Sequence, residues 1–260
     1  MKELLSIWKY TRMIVLVAVC AAVYAAVLIP FKIAVPLIPG FTEIRPANAL
    51  PIVFSLLFGP AAAWGAAFGN LIGDFFGTLG LGSLFGMIGN FLYGYVPYRI
   101  WRQISSEPPS LNTGKQMIKL VLIALLASGA CGLTIGWGVD LLGFVPFAAL
   151  GNIIVLNNFV IAAILSPLVM RILYTRVERW GLLYQDTMEA EDRSEGIAPR
   201  LGLMLLIVGV LGGLILGNII SFGLYDIRDP FAQEAGSGLL GIGLGLVPAM
   251  FLMVLGAFLL

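Results

Sequence analysis

An all-α polytopic membrane protein is the fold class this sequence predicts, and three features carry that reading. Hydrophobic residues make up 60% of the 260 and charged residues only 11%, with a mean hydropathy of +0.99, far from the balance of a soluble domain. Apolar runs of roughly 17 to 25 residues, enough to cross a hydrocarbon core of about 30 Å, recur along the whole chain. The basic residues fall almost entirely on one side of the spans those runs define. The spans must be helices, because backbone facing lipid has to satisfy its own hydrogen bonds and no alternating barrel pattern is present.

Taken in order, the first helix is expected from about Met13 to Ile33 and a short second one from Ala47 to Phe58, ended by the Gly59-Pro60 turn. A third runs from about Ala61 to Phe76 and a fourth from Leu84 to Trp101, with the glycine-rich stretch Gly77 to Ser83 between them. The polar loop from Arg102 to Lys115 contains Pro108-Pro109 and belongs outside the bilayer. A fifth helix from Met117 to Trp137 and a sixth from Phe147 to Tyr174 complete a core spanning residues 1–175. A charged linker, residues 176–199, is read as a solvated loop. Two glycine-rich helices, near Leu201 to Phe222 and Gly238 to Leu260, form a C-terminal extension over residues 200–260. The count is eight spans, one of them short.

With a cytoplasmic N-terminus, this alternation puts every Lys and Arg inside except Lys32, Arg45 and Arg228. That asymmetry meets the positive-inside rule and predicts a multi-pass protein with both termini cytoplasmic. Lys2, Lys9 and Arg12 precede the first apolar run, but the stretch from Met13 to Ile29 is too long for the core of a cleaved signal peptide, and many spans follow it.

Several function classes drop out. A net charge of +1 offers no electrostatic footprint for nucleic acid. The chain has no histidine, which removes Ser-His hydrolases and H-E-x-x-H zinc enzymes. Cys20 and Cys131 lie in apolar spans without metal-ligand spacing and read as buried thiols, so neither a metal nor another cofactor is expected. No phosphate loop exists, since Gly114-Lys115 is followed by Gln116, so ATP energy has to come from a partner.

The polar groups near the spans gather toward the outer face. Glu43 and Arg45 stand one residue apart, so an extended backbone projects them to the same side. Asn70 and Asp74 share a face of the third helix, Asn90 and Tyr93 a face of the fourth. Trp137 and Asp140 close the fifth, and Asn152, Asn157 and Asn158 lie in the outer half of the sixth. Ionisable groups at membrane depth point to function, and apolar walls with a few orienting polar groups make a small-molecule site. Each also has a structural reading: the Asn residues as interhelical glue, Trp137 as an interfacial anchor, Glu43 and Arg45 as loop charges that pair. On the first helix Ala18, Ala22 and Ala26 recur every four residues, with Ala21 and Ala25 beside them, a spacing that lets another helix approach closely, within this chain or from another.

The segment Glu43-Ile44-Arg45-Pro46-Ala47-Asn48-Ala49-Leu50-Pro51, then Phe54 to Pro60 and Gly65 to Asp74, resembles the second and third helices of the substrate-binding S components of energy-coupling factor transporters. The likeness covers about Arg12 to Tyr174. It implies a six-helix, S-component-like bundle in a prokaryotic plasma membrane that captures a vitamin or related micronutrient. The partners it implies are a coupling transmembrane protein and two ATPase subunits. In the family an alanine stripe on the first helix faces the coupling protein, which Ala18, Ala22 and Ala26 match. The family's ligand sits under the loop after the first helix, here Phe41 to Arg45. On that basis Phe41, Glu43 and Arg45 are expected to close over a solute held by Asn70, Asp74, Asn90, Tyr93, Trp137, Asp140 and Asn152. The residue types suit a flat heterocycle such as a pterin, pyrimidine, deazapurine or flavin. The two helices after Leu201 depart from the family pattern.

Two other readings compete. A secondary transporter calls for an internal repeat with broken helices at the midplane, and the halves show no convincing self-similarity. An intramembrane aspartyl protease would pair Gly73-Asp74 with Tyr225-Asp226, but the motifs come in the opposite order and Leu71 stands where the first glycine is needed.

Overall fold

The computed structural model describes residues 2–193, 196–224 and 239–260. Tyr225, Asp226, Arg228 and Gly238, which figure in the expectations above, lie outside the described residues. Two helices precede the hairpin that follows the first span: α1 (Lys2–Ser6) and α2 (Thr11–Ala34). The hairpin is β1 (Pro36–Ile38) and β2 (Thr42–Glu43), antiparallel. After it come α3 (Ala49–Phe58), α4 (Pro60–Asp74), α5 (Gly82–Ile104), α6 (Gly114–Leu141) and α7 (Phe147–Arg179). The linker contains a single turn, α8 (Tyr184–Thr187), and the chain ends in α9 (Pro199–Ser221) and α10 (Val247–Leu259).

Five helical segments among the described residues are long and apolar enough to cross a bilayer: Thr11–Lys32, Gly114–Leu141, Phe147–Thr187, Pro199–Ser221 and Gly241–Leu259. The expectation of eight spans therefore separates into two kinds of helix. α3 and α4, at 10 and 15 residues, rise only about 15 and 22 Å. α3 does not need to meet lipid, since nine of its ten residues are buried and it packs against α4, α5 and α7. α5 has 23 residues but carries Asn90, Arg99 and Arg102, all turned toward protein.

Sequential packing builds the bundle: α2 on α4, α4 on α5, α5 on α6, α6 on α7. The α2–α4 contact explains the glycine spacing of α4. A Cβ on Gly65 would stand 2.4 Å from Cys20, and one on Gly69 only 2.8 Å from the carbonyl of Ala21. Ala21 and Ala25 thus face inward while Ala18, Ala22 and Ala26 stay exposed on a neighbouring face of α2. Gly59 turns α3 into α4 at φ +54°, and a Cβ there would meet the Tyr184 ring at 2.8 Å, so both conformation and space require glycine. The fifth helix runs past Trp137 to Leu141, which puts Asp140 in its last turn rather than beyond it.

α9 and α10 pack on each other, and α9 packs on α6 and α7. Their glycines serve that contact: a Cβ on Gly209 would meet the Met253 backbone at 2.4 Å, and one on Gly217 the Phe147 ring at 2.4 Å. The linker differs from the solvated loop expected of it. Tyr184 is buried and packs edge-on to Tyr98 at 5.8 Å. Asp192 pairs with Lys2 at 3.2 Å and Lys9 at 3.6 Å and accepts a hydrogen bond from the Tyr10 hydroxyl at 2.9 Å. The linker is thereby tied to the N-terminal turns.

Pro97 lies inside α5 and leaves that helix's ladder one donor short. Beside it the Ser55 hydroxyl inserts, donating to the Gly94 carbonyl and accepting from the Tyr98 N–H at 3.1 Å. This side chain re-satisfies backbone that lipid cannot. Ser55→Ala is expected to lower stability by about 1–2 kcal/mol, read as the midpoint of unfolding in a detergent–denaturant titration; a wild-type midpoint would show the ladder does not need it.

Candidate functional site

At the hairpin end of the bundle a cavity of about 280 Å³ opens between the loops and the ends of α4, α5, α6 and α7, near the lower end of the size range of small-molecule sites. Its polar wall comes from Arg45, Asn70, Asp74, Thr78 and Ser83. The opposite wall is apolar, with Ile135 and Val139 from α6 and Leu150 and Ile154 from α7. Phe41 of the hairpin turn and Phe144 of the α6–α7 loop face each other across the mouth, ring centres 6.2 Å apart and tilted by 54°.

The charges in this wall are wired before any ligand arrives. Arg45 pairs through Nε with Glu43 at 2.7 Å and donates from Nη1 to the Asn70 amide oxygen at 3.2 Å. Asn70 in turn donates to Asp74 Oδ2 at 3.2 Å. The other oxygen of Asp74 pairs with the Lys32 ammonium and accepts from the Thr78 hydroxyl at 2.9 Å. Two ion pairs are thus linked through one amide, with Lys32, Glu43 and Asp74 all buried. Fixed in this way, the groups present oriented donors and acceptors to a guest and do not reorganise to meet it.

Of the residues expected to hold a solute, Phe41, Arg45, Asn70 and Asp74 line the cavity, and Glu43 sits behind Arg45. Asn90 and Tyr93 lie deeper, in a network that ties four elements together. The Tyr24 hydroxyl is 3.0 Å from the amide oxygens of both Asn48 and Asn90 and shares its proton between them. Asn48 donates to the Asn158 side chain, and the Tyr93 hydroxyl lies 3.0 Å from the Asn48 carbonyl. Asn157 supports the hairpin by donating to the Glu43 carbonyl at 2.8 Å.

Trp137, Asp140 and Asn152 are not brought to the cavity. Trp137 donates to the Gly243 carbonyl at 3.0 Å and packs edge-on to Phe85. Asp140 accepts from the Phe147 N–H and so caps the start of α7. Asn152 forms a reciprocal amide pair with Asn218 of α9, at 2.6 and 3.0 Å. All three are occupied in joining α6, α7 and the C-terminal helices.

Sequence reasoning passed over Lys32, Thr78 and Phe144. Thr78 continues the four-residue spacing of Asn70 and Asp74, because the Thr78 N–H still bonds to the Asp74 carbonyl beyond the helix end; that spacing was the available signal. Lys32 counted only as an outer charge, yet its ammonium turns inward to Asp74 instead of extending to water.

A small cavity with prewired charges at one end of an apolar helical bundle defines a membrane-embedded solute-capture protein. The chain belongs to the QueT transporter family, whose model matches residues 14–175, and with it to the S components of energy-coupling factor transporters. It is a transport component and not an enzyme. The matched segment stops short of α9 and α10. No curated protein and no solved structure matches the chain.

Lys32 and Asp74 form a buried pair, so removing one charge strands the other. Lys32→Met is expected to destabilise by about 3–5 kcal/mol. Adding Asp74→Asn to it should recover part of that loss, read from thermal unfolding of the purified variants. Equal stabilities for the single and double variants would contradict the pairing.

Proposed function

We propose that this chain captures a queuosine precursor, a flat deazapurine, in the hairpin-end cavity and delivers it through a coupling membrane protein powered by two ATPase subunits. The family supports the substrate class, and the cavity wall is the observation that carries the reading. A deazapurine base offers N–H donors and a carbonyl acceptor in one plane. In this reading Asp74 accepts from its N–H edge, Arg45 and Asn70 donate to its carbonyl, and the adjoining rings of Phe41 and Phe144 cover one of its faces. The aliphatic wall of Ile135, Val139, Leu150 and Ile154 suits the remaining ring surface.

In this reading the hairpin end faces outward, as the distribution of Lys and Arg favours. Docking falls to Ala18, Ala22 and Ala26, which are exposed along α2 while Ala21 and Ala25 are buried, Ala21 directly against α4. Small side chains there allow a partner helix to approach α2 closely.

Binding of a queuosine-precursor base to the purified protein tests the capture step. Arg45→Ala and Asp74→Ala are each expected to weaken it by about 1–3 kcal/mol, and wild-type affinity in both would remove the cavity from consideration. Ala22→Phe separates docking from capture: binding should stay as in the wild type while uptake by cells carrying the coupling module is lost, and normal uptake would exclude α2 as the docking face.

A further inference from the structure

The end of the bundle opposite the hairpin holds a second group of concavities, which the capture of a solute does not use. Three adjoining clefts of about 170, 240 and 340 Å³ have Arg102 in common. Their polar lining is dominated by donors: Arg102, Arg193, Tyr184, Gln185, Gln103 and Ser105. Among the described lining residues Glu107 is the one carboxylate, and its Oε2 already accepts from Gln116 at 2.9 Å.

The positive charge here is not used up internally. Arg99 and Arg102 share the carboxylate of Glu3, but Arg99 holds it at 2.7 Å and Arg102 only at 3.4 Å. Arg102 is therefore the looser partner, and its side chain, a quarter exposed, keeps an edge toward the cleft. Arg193 joins none of the ion pairs formed among the described residues. Arg102 and Arg193 line one cleft together with Tyr184 and Gln185, and two cations with hydroxyl and amide donors between the same walls form a receptor for a tetrahedral oxyanion.

What lies beside the clefts distinguishes the source of that anion. The third cleft is bounded by Gly196 and Pro199 at the start of α9. From there an exposed apolar stripe runs down α9 through Leu201, Met204, Val208, Leu211 and Ile215, the spacing of one helix face. Ile197, 88% exposed, stands at its head. A polar, cationic cleft continuous with an apolar track along a membrane helix has the two-part chemistry of a phospholipid, a combination a free phosphate does not need. Basic pockets between membrane helices at headgroup level bind anionic lipids on the same principle.

We propose that the Arg102–Arg193 cleft binds the phosphate headgroup of an anionic phospholipid, with an acyl chain along the exposed face of α9. The site is independent of the solute cavity and gives the C-terminal helices a surface of their own to present.

The experiment uses the full-length protein in neutral maltoside detergent, incubated with phosphatidylglycerol, phosphatidylcholine or sodium phosphate. Retained lipid is counted by native mass spectrometry and the unfolding temperature is followed in parallel. The wild type is expected to retain phosphatidylglycerol in preference to phosphatidylcholine and to unfold at higher temperature with it. Arg193→Gln should weaken that retention by about tenfold while unfolding like the wild type without lipid; Arg102→Gln should weaken it further. Equal retention of the two lipids, or undiminished retention by Arg193→Gln, would overturn the proposal. Equal stabilisation by sodium phosphate would overturn the lipid as the source of the anion. Loss of coupling-protein capture in Arg193→Gln, with lipid retention unchanged, would assign the cleft to a protein contact and overturn it too.

Discussion

The structure depends on one constraint: inside an apolar bundle every polar group must find its partner within the protein. The chain meets it with a chain of amides and phenols through the centre. Tyr24 of α2, Asn48 ahead of α3, Asn90 and Tyr93 of α5 and Asn158 of α7 hydrogen-bond to one another. Removing any member leaves a buried group unsatisfied, so the network fixes how four elements sit relative to one another. The short α3, which packs between α5 and α7, is held by it at its N-terminal end. Ser55 and Ser166 extend the same logic by bonding carbonyls of neighbouring helices.

The cavity is where this constraint is met with charge instead of amide. Its two ion pairs, Glu43–Arg45 and Lys32–Asp74, are joined through Asn70 and come from the hairpin, α2 and α4. A buried pair contributes little to stability by itself, but it holds oriented donors and acceptors facing empty space at no further cost on binding. The apolar wall opposite belongs to α6 and α7, and those helices are in turn braced by the C-terminal pair through Asn152–Asn218, Trp137–Gly243 and the Phe147 ring seated at Gly217. The extension thus bears on the site without contributing a side chain to it.

Much of this was readable from residue types and periodicity. The helix order, the inward and outward alanine rows of α2 and the gathering of polar residues at one end follow from apolar run length and a 3.6-residue period. What periodicity does not carry is the partner. Asn70, Asp74 and Asn152 look alike as polar residues on apolar helices, yet the first two face a cavity and the third faces Asn218, a choice made by a helix 66 residues away. Asp140 illustrates the same limit, since its role as a cap depends on where α7 begins. The hidden lysine is the clearest case: a basic residue at a helix end ordinarily extends to the interface, and only the packing of α4 against α2 turns Lys32 inward to Asp74. The short α3 makes the related point, because its apolar residues are accounted for by burial in protein.

The two ends of the bundle also bear on how a solute could cross. At the hairpin end the cavity is closed below by the amide network; at the other end Glu3, Tyr98 and Arg99 form a buried cluster, flanked by Arg102 and by the Tyr184 ring. A path through the bundle would require breaking both, each with stranded polar groups in an apolar interior. Glycine-mediated backbone contacts of α2 with α4 and of α4 with α5 leave little freedom for the helices to slide past one another. A bundle so connected is better suited to move as one body than to open between its helices. That is the behaviour required of a subunit that carries its ligand by being reoriented by a partner, and it is a harder fit to a carrier that alternates access through itself.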